Sequence, residues 1–326
     1  VSAQLLTGPR WLVVRQHRRA LWTVLGLVVA AGAMMVASRV WADSAAEALR
    51  AVDCTVSSTE RRCFQPARDY TDSVWSARHL IEYAALGMMA LPAVVGAFVA
   101  GPMIARELET GTYKLAWTQS PSPARWLAAK LTVPMGVVIA GTALLTLLFS
   151  WSWSTGPAHD FPTYWYEPTM YASIGVIPTV CAVMGLALGT LVGLLVRRTV
   201  LAMSATVLLT GGVLLLLSQM RVHLWPIRTT TGLGEPPAVK ISRTWRVEEG
   251  MLTPSGERIG PDFCFVGPSS QPPAPCAAER KDVTYFLDYH PASHFWPIQL
   301  VEAGIVLAFT AAATYAAFRV LRRHHA

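Results

Sequence analysis

The chain has 326 residues, 53% hydrophobic and 14% charged, with a formal net charge of +7. A soluble domain carries about 25% charged residues, so this sequence lacks the polar cover that a water-facing surface of its size needs. A soluble enzyme is therefore excluded, and a nucleic-acid partner, which the positive charge raises, is decided by where the charges fall. Of the basic residues only Lys114, Lys130, Lys240 and Lys281 are lysines, and without any Asn there is no N-glycosylation acceptor.

Crossing a hydrocarbon core of about 30 Å takes about 20 apolar residues in a helix, because every backbone group must be bonded within the segment. Six stretches satisfy this: Leu21–Trp41, Tyr83–Ile104, Leu131–Trp153, Met170–Leu195, Val200–Met220 and Ile298–Val320. The first follows basic residues, as a secretory signal does. Its apolar run exceeds the roughly 7–15 residues of a signal, so it is read as an uncleaved span. An all-α polytopic membrane protein follows, with residues 21–220 holding spans one to five and 298–326 the sixth span and a tail.

Two polar segments separate spans on one side. Residues 42–82 begin with an Ala-rich helical stretch, Asp43 to Val52, and then carry Cys54 and Cys63. Residues 221–297 are rich in Pro and Gly and carry Cys264 and Cys276. The alternating runs Val239-Lys240-Ile241 and Thr244-Trp245-Arg246-Val247 predict a short hairpin in a small external subdomain. Both cysteine pairs are read as disulfides of an oxidising compartment. Zinc is the competing use, but neither pair has the close Cys-x2-4-Cys spacing of a structural site. Cys181, alone in an apolar run, is read as a small packed hydrophobe.

Lys and Arg gather in the short segments of the other side. Arg10, Arg15, Arg18 and Arg19 precede span one; Arg106, Lys114, Arg125 and Lys130 lie between spans two and three. Arg197 and Arg198 join spans four and five, and Arg319, Arg322 and Arg323 end the chain, against two acids, Glu107 and Glu109. That side is the cytoplasm, with both termini on it. The basic excess is thus a topology signal, and nucleic acid is excluded as a partner.

No phosphate-binding Gly-x4-Gly-Lys-Ser/Thr loop, Gly-x-Gly-x2-Gly, His-Glu-x2-His or Gly-x-Ser-x-Gly is present. The chain therefore has no catalytic residues to nominate and no ATP site of its own. Its most distinctive segment is the inner connection 105–127, far longer than the usual few residues between helices. It reads as a short amphipathic helix at the inner interface, with Leu108, Leu115 and Trp117 on its apolar side and a Pro pair ending it.

The run Arg106-Glu-Leu-Glu-Thr-Gly-Thr112, then Leu115, a Pro-containing turn and Lys130 opening the next span, resembles the type-2 ATP-binding-cassette (ABC) exporter permeases. Leu115-Ala-Trp-Thr-Gln-Ser120, Arg15-Gln-His-Arg18 and Tyr289-His-Pro-Ala-Ser-His-Phe-Trp-Pro297 are similar to the actinobacterial branch of that family. The resemblance implies a half-transporter that pairs with a second copy and docks a separate ATPase subunit, which binds ATP and Mg. It implies that residues 1–20 form an interfacial helix on the inner membrane surface. It makes 105–127 the coupling loop, with Arg106, Glu107, Glu109, Gly111, Thr112 and Arg125 as ATPase-coupling residues. Spans two and five would line the path, naming Met88, Met89, Phe98, Thr206 and Thr210 for substrate contact.

Ionisable residues at membrane depth are costly and usually serve something. Glu82, at the outer end of span two, is read as reaching the interface or pairing with Arg78 or Arg39. Glu302, a turn inside span six with no basic neighbour in sequence, is the candidate for an outer gate. Ser204, Thr206, Thr210, Gly211 and Gly212 of span five are read first as helix-packing residues. His290 and His294 with Asp288 have metal-ligand chemistry, but Pro291 interrupts the helix that would align them, and no metal site is assigned. The function expected is export of a small hydrophobic or amphipathic molecule, such as a drug, metabolite or lipid, by alternating access. A sensor or resistance module signalling through the same loop is the alternative.

Overall fold

Long apolar runs without interior polar breaks fold as helices wherever the backbone must satisfy itself, and this sets the architecture. The computed structural model describes residues 18–113, 122–154, 164–239, 244–253, 255–260 and 283–323. Span one is α1, Arg18–Ala51. Span two is α2, Phe64–Val94, continued through a π turn, Val95–Ala100, into α3, Gly101–Thr110. Span three is α4, Pro123–Ser154; a short α5, Pro168–Tyr171, precedes span four, α6, Ile177–Val196. Span five is α7, Thr199–Met220, and span six is α8, Phe295–Arg323. Among the described residues six helices are long and apolar enough to cross a membrane.

The segment expected as an external loop, 42–82, is instead mostly helix. With 34 residues α1 is about 51 Å long at 1.5 Å per residue, about 20 Å more than a hydrocarbon core. The Ala-rich run after Trp41 favours helix and carries α1 outward, and α2 returns alongside it. Asp53, at φ 52°, turns the chain between them. The Cys54–Cys63 disulfide closes the tip over a small core of Ala46, Leu49, Tyr70 and Val74.

Span four lies at the centre, packed against spans two, three, five and six. Its contact with span two has a specific cause. Pro92 lacks a backbone N–H, and three residues beyond it the helix widens into the π turn. The carbonyls of Pro92, Gly96 and Gly101 come down onto Gly185, Gly189 and Gly193, which follow one another at every fourth position of span four. A Cβ on Gly185 or Gly189 would overlap the Pro92 or Gly96 carbonyl oxygen, and one on Gly193 would stand 3.0 Å from that of Gly101. Such small-residue spacing lets two membrane helices approach backbone to backbone. The glycines singled out in span five, Gly211 and Gly212, have nothing within 4 Å of a Cβ in this chain.

The outer end of span four departs from the expected continuous helix from Met170. After α5 the chain turns through Gly175, at φ 71°, and restarts at Ile177 with Pro178 in its first turn. The external segment is a four-stranded antiparallel sheet of β1, Arg228–Leu233; β2, Thr244–Leu252; β3, Arg258–Ile259; and β4, Thr284–Pro291, in the order β1-β4-β2-β3. Thr244–Val247 is part of a strand, as expected, but among the described residues it pairs with β4, while β3 pairs with the far end of β2 at Met251 and Leu252. Residues 240–243, with half of the expected hairpin, lie outside the described residues, as do Cys264 and Cys276.

If the span two–span four contact is as tight as the geometry requires, Gly185→Ala and Gly189→Ala will each cost about 1–3 kcal/mol through overpacking. Gly211→Ala and Gly212→Ala will be neutral by comparison. Thermal unfolding of the detergent-purified chain measures the difference.

Candidate functional site

The inner end of span two is shaped by its length and its cap. Helix α3 ends at Thr110, whose hydroxyl donates to the Arg106 carbonyl at 2.8 Å. Gly111 then adopts the left-handed conformation, φ 73°, that closes a helix without steric cost to a residue lacking Cβ. The structure extends span two itself to Thr110, through Arg106, Glu107 and Glu109 among the residues nominated for coupling, where the amphipathic run predicts a separate interfacial helix. Residues 114–121 and 1–17, with Arg15 and the Leu115–Ser120 run, lie outside the described residues.

The two acids of this segment are both engaged within the chain. Glu107 accepts an ion pair from Lys130 of span three, whose ammonium also lies 5.1 Å from the Trp126 ring centroid. Glu109 accepts from the Thr199 amide at 2.9 Å and from its hydroxyl at 2.6 Å. It thereby satisfies a free N–H at the start of span five, where a negative charge also favours the helix dipole. The preceding residue, Arg198, makes no side-chain cap. Arg106, Thr112 and Arg125 remain exposed. Span three starts behind Ser122, whose hydroxyl accepts from the Arg125 amide at 3.3 Å. Below the polar layer, Ile104, Trp126, Leu127, Leu194, Ala317 and Leu321 form one apolar cluster that joins spans two, three, four and six. Lys130 and Thr199 were not nominated from sequence. A lysine opening an apolar span was the available sign of the first.

The five residues named for substrate contact do not converge within one chain. Met88 is buried in the central core, Met89 is half-buried, and Phe98 is 62% exposed on the outer surface of span two. Thr206 is buried, its hydroxyl donating to the Ala202 carbonyl at 2.7 Å and its methyl against Gly96. Thr210 is buried with its hydroxyl unbonded.

At the outer end, Glu302 has the partner that its sequence neighbourhood did not show. Arg221, just past span five, donates to both carboxylate oxygens, Nε to Oε2 at 2.9 Å and Nη2 to Oε1 at 3.0 Å. Both residues are buried, and the guanidinium lies 3.8 Å from the centroid of Tyr171 of α5. One turn earlier on span six, Gln299 is fully buried. Its Oε1 accepts from the Val176 amide at 2.9 Å and its Nε2 donates to the Ile174 carbonyl at 3.1 Å, spanning the turn at Gly175. Spans four, five and six are thus tied at their outer ends by one buried polar cluster. Glu82 pairs with Arg78 at 2.7 Å, the first of its two anticipated partners, while Arg39 pairs with Asp43.

Asp288 does not turn toward the histidines: it accepts from Thr229 at 2.5 Å and from Arg258 at 2.6 Å. His290 and His294 face each other, Nδ1 to Nδ1, at 3.0 Å.

Five apolar helices around a central fourth span, with an inward helix held by spans three and five, define a multi-pass membrane protein. Residues 24–221 match the family described as ABC-2 membrane transporter related, and the chain belongs to that family. It is thus a permease of the ABC-2 type, the membrane subunit of an ABC transporter, and the family implies a separate ATPase partner. No curated protein and no solved structure matches the chain.

Glu302→Gln will leave the Arg221 charge buried without its partner and is expected to cost about 3–5 kcal/mol. Replacing both with apolar residues of similar volume, Glu302→Leu with Arg221→Met, is expected to recover much of that loss. Thermal unfolding of the three proteins in one detergent decides between this pair and a solvated, dispensable one.

Proposed function

We propose that the chain is the membrane half of an ATP-driven exporter, working as a homodimer with one ATPase subunit on each copy and with both termini in the cytoplasm. ATP and Mg would bind on the partner. The observation that carries this reading is the bracing of α3. It continues span two without a break, and its two acids reach span three through Lys130 and span five through Thr199. A push on such an element is delivered to three spans at once.

On this reading Glu107 and Glu109 transmit motion, and the exposed Arg106, Thr112 and Arg125 meet the ATPase at the Gly111 turn. ATP would close the partner subunits, the helices would swing the inner ends of spans two, three and five, and hydrolysis would reset them. The cargo, a small hydrophobic or amphipathic molecule, would pass between two copies. Exposed Phe98 with Met89 would meet it from span two, the buried Met88, Thr206 and Thr210 shaping the wall behind. The soft methionines suit variable apolar shapes.

Co-expression with the ATPase encoded beside the chain tests the reading. The expected result is a complex of two copies of each subunit that hydrolyses ATP and is lost in an Arg106→Glu, Arg125→Glu variant. Absence of any complex, or a complex indifferent to those charges, contradicts it. ATPase activity stimulated by an external ligand without movement of any cargo would favour the sensor reading, for which the external sheet on spans five and six provides the surface.

A further inference from the structure

We propose that His290 and His294 form a proton-operated latch. While both rings are neutral they hold the external sheet on the outer ends of spans five and six, and acid outside the membrane releases it.

His290 stands on β4 opposite Trp245 of β2 and is fully buried; His294, in the turn that opens span six, is 5% exposed. His290 Nε2 lies 2.9 Å from the Val222 carbonyl, in the turn that ends span five. A carbonyl only accepts, so this nitrogen carries the proton. The neutral ring then presents Nδ1 as a lone pair, and His294 Nδ1–H must donate to it across the 3.0 Å gap. One arrangement of two neutral rings therefore satisfies the chain Val222, His290, His294, and it links the end of span five, the sheet and the start of span six. Trp245 covers His290 with ring centroids 5.2 Å apart, and Trp225 meets His294 edge-on at 6.5 Å.

Protons have little to stabilise them here. The first is accommodated on His294 Nε2 with the bond between the rings intact. A second places two N–H groups head to head, and the bond is lost. The basic side chains carried by the sheet and by the turn after span five are Arg221, His223, Arg228, Arg246 and Arg258, and of these His223 acts on His290 and Arg228 on His294, each against a proton. The acids of the same elements are each engaged by an arginine: Glu302 by Arg221, Asp288 and Glu248 by Arg258, and Glu249 by Arg246. Burial pushes the His290 ring below the usual imidazole range, against the raising effect of its bond to Val222, and His223 adds to the lowering. The sign follows. Below the ordinary value of about 6.5 the released, solvated pair takes a second proton that the latched pair cannot hold without losing its bond. The latched state is thus fully favoured above that pH and weakens as the pH falls beneath it. Val222 directly follows Arg221, so release also frees the backbone beside the Arg221–Glu302 pair.

Amide hydrogen exchange on the full chain in lipid nanodiscs, normalised to intrinsic rates, tests the latch. Between pH of about 7.5 and about 5.5, protection of residues 284–294 and 221–225 is expected to fall about tenfold, the equivalent of one pKa unit. Peptides of span four should not change. His290→Gln keeps a donor to Val222, His294→Asn keeps a donor to His290, and neither titrates in this range. Loss of the pH effect in either variant, with span four still protected, supports the latch. Protection independent of pH in the unaltered chain, or a pH effect that survives in both variants, overturns it.

Discussion

The approach of span four to the carbonyls of span two is the constraint on which the other packing depends. Three glycines at every fourth position remove the side chains that would hold the helices apart, and the widened turn after Pro92 brings backbone oxygens into the space. Each half requires the other. A straight span two would leave a groove along Gly185, Gly189 and Gly193, and larger residues there would push the turn away. Close approach maximises dispersion contact, the main attraction available between helices in lipid. With span four held at that distance, spans three, five and six can all reach it, and its buried residues form one core with theirs.

The polar contacts are arranged at the two ends of this apolar body. At the inner end Glu107 and Glu109 fasten α3 to spans three and five. At the outer end Gln299, Glu302, Arg221 and the ring of Tyr171 fasten spans four, five and six. Between them spans five and six present leucines and other large apolar side chains outward, as lipid requires. Spans two and four thus connect the inner polar contacts to the clasp at the far side. The external sheet is linked to that clasp through His290 and Val222.

The spans themselves were legible because a run of about 20 apolar residues has few alternatives to a membrane helix. Span five was read almost to its ends, since Arg198 and Arg221 flank it in sequence and in structure. The residues that position those spans were less visible. Hydropathy ranks glycine near neutral, so Gly185, Gly189 and Gly193 leave no trace in it, although their spacing is plain once small residues are counted. Glu302 seemed isolated because its partner is 81 residues earlier in the chain. The same non-locality hid Glu109's role as a cap for span five and the pairing of β2 with β4. The outward extension of α1 was half legible in its alanines. That α2 continues it as a hairpin depended on how Tyr70 and Val74 pack against Ala46 and Leu49. At the inner site the engagement of both acids within the chain could come only from three dimensions.

Packing this close is expected to make spans two and four move as one body when the inner helix is pushed. Spin labels at Val94 of span two and Leu195 of span four, both exposed, measure this by electron double resonance in the complex with its ATPase. The expected result is the same distance distribution without nucleotide and with ATP trapped on the partner, while a label at Leu208 of span five shifts between the two copies of the proposed dimer. A Val94–Leu195 distance that changes with nucleotide would contradict it, because the glycine contact would then be a sliding surface and not the rigid core of the permease.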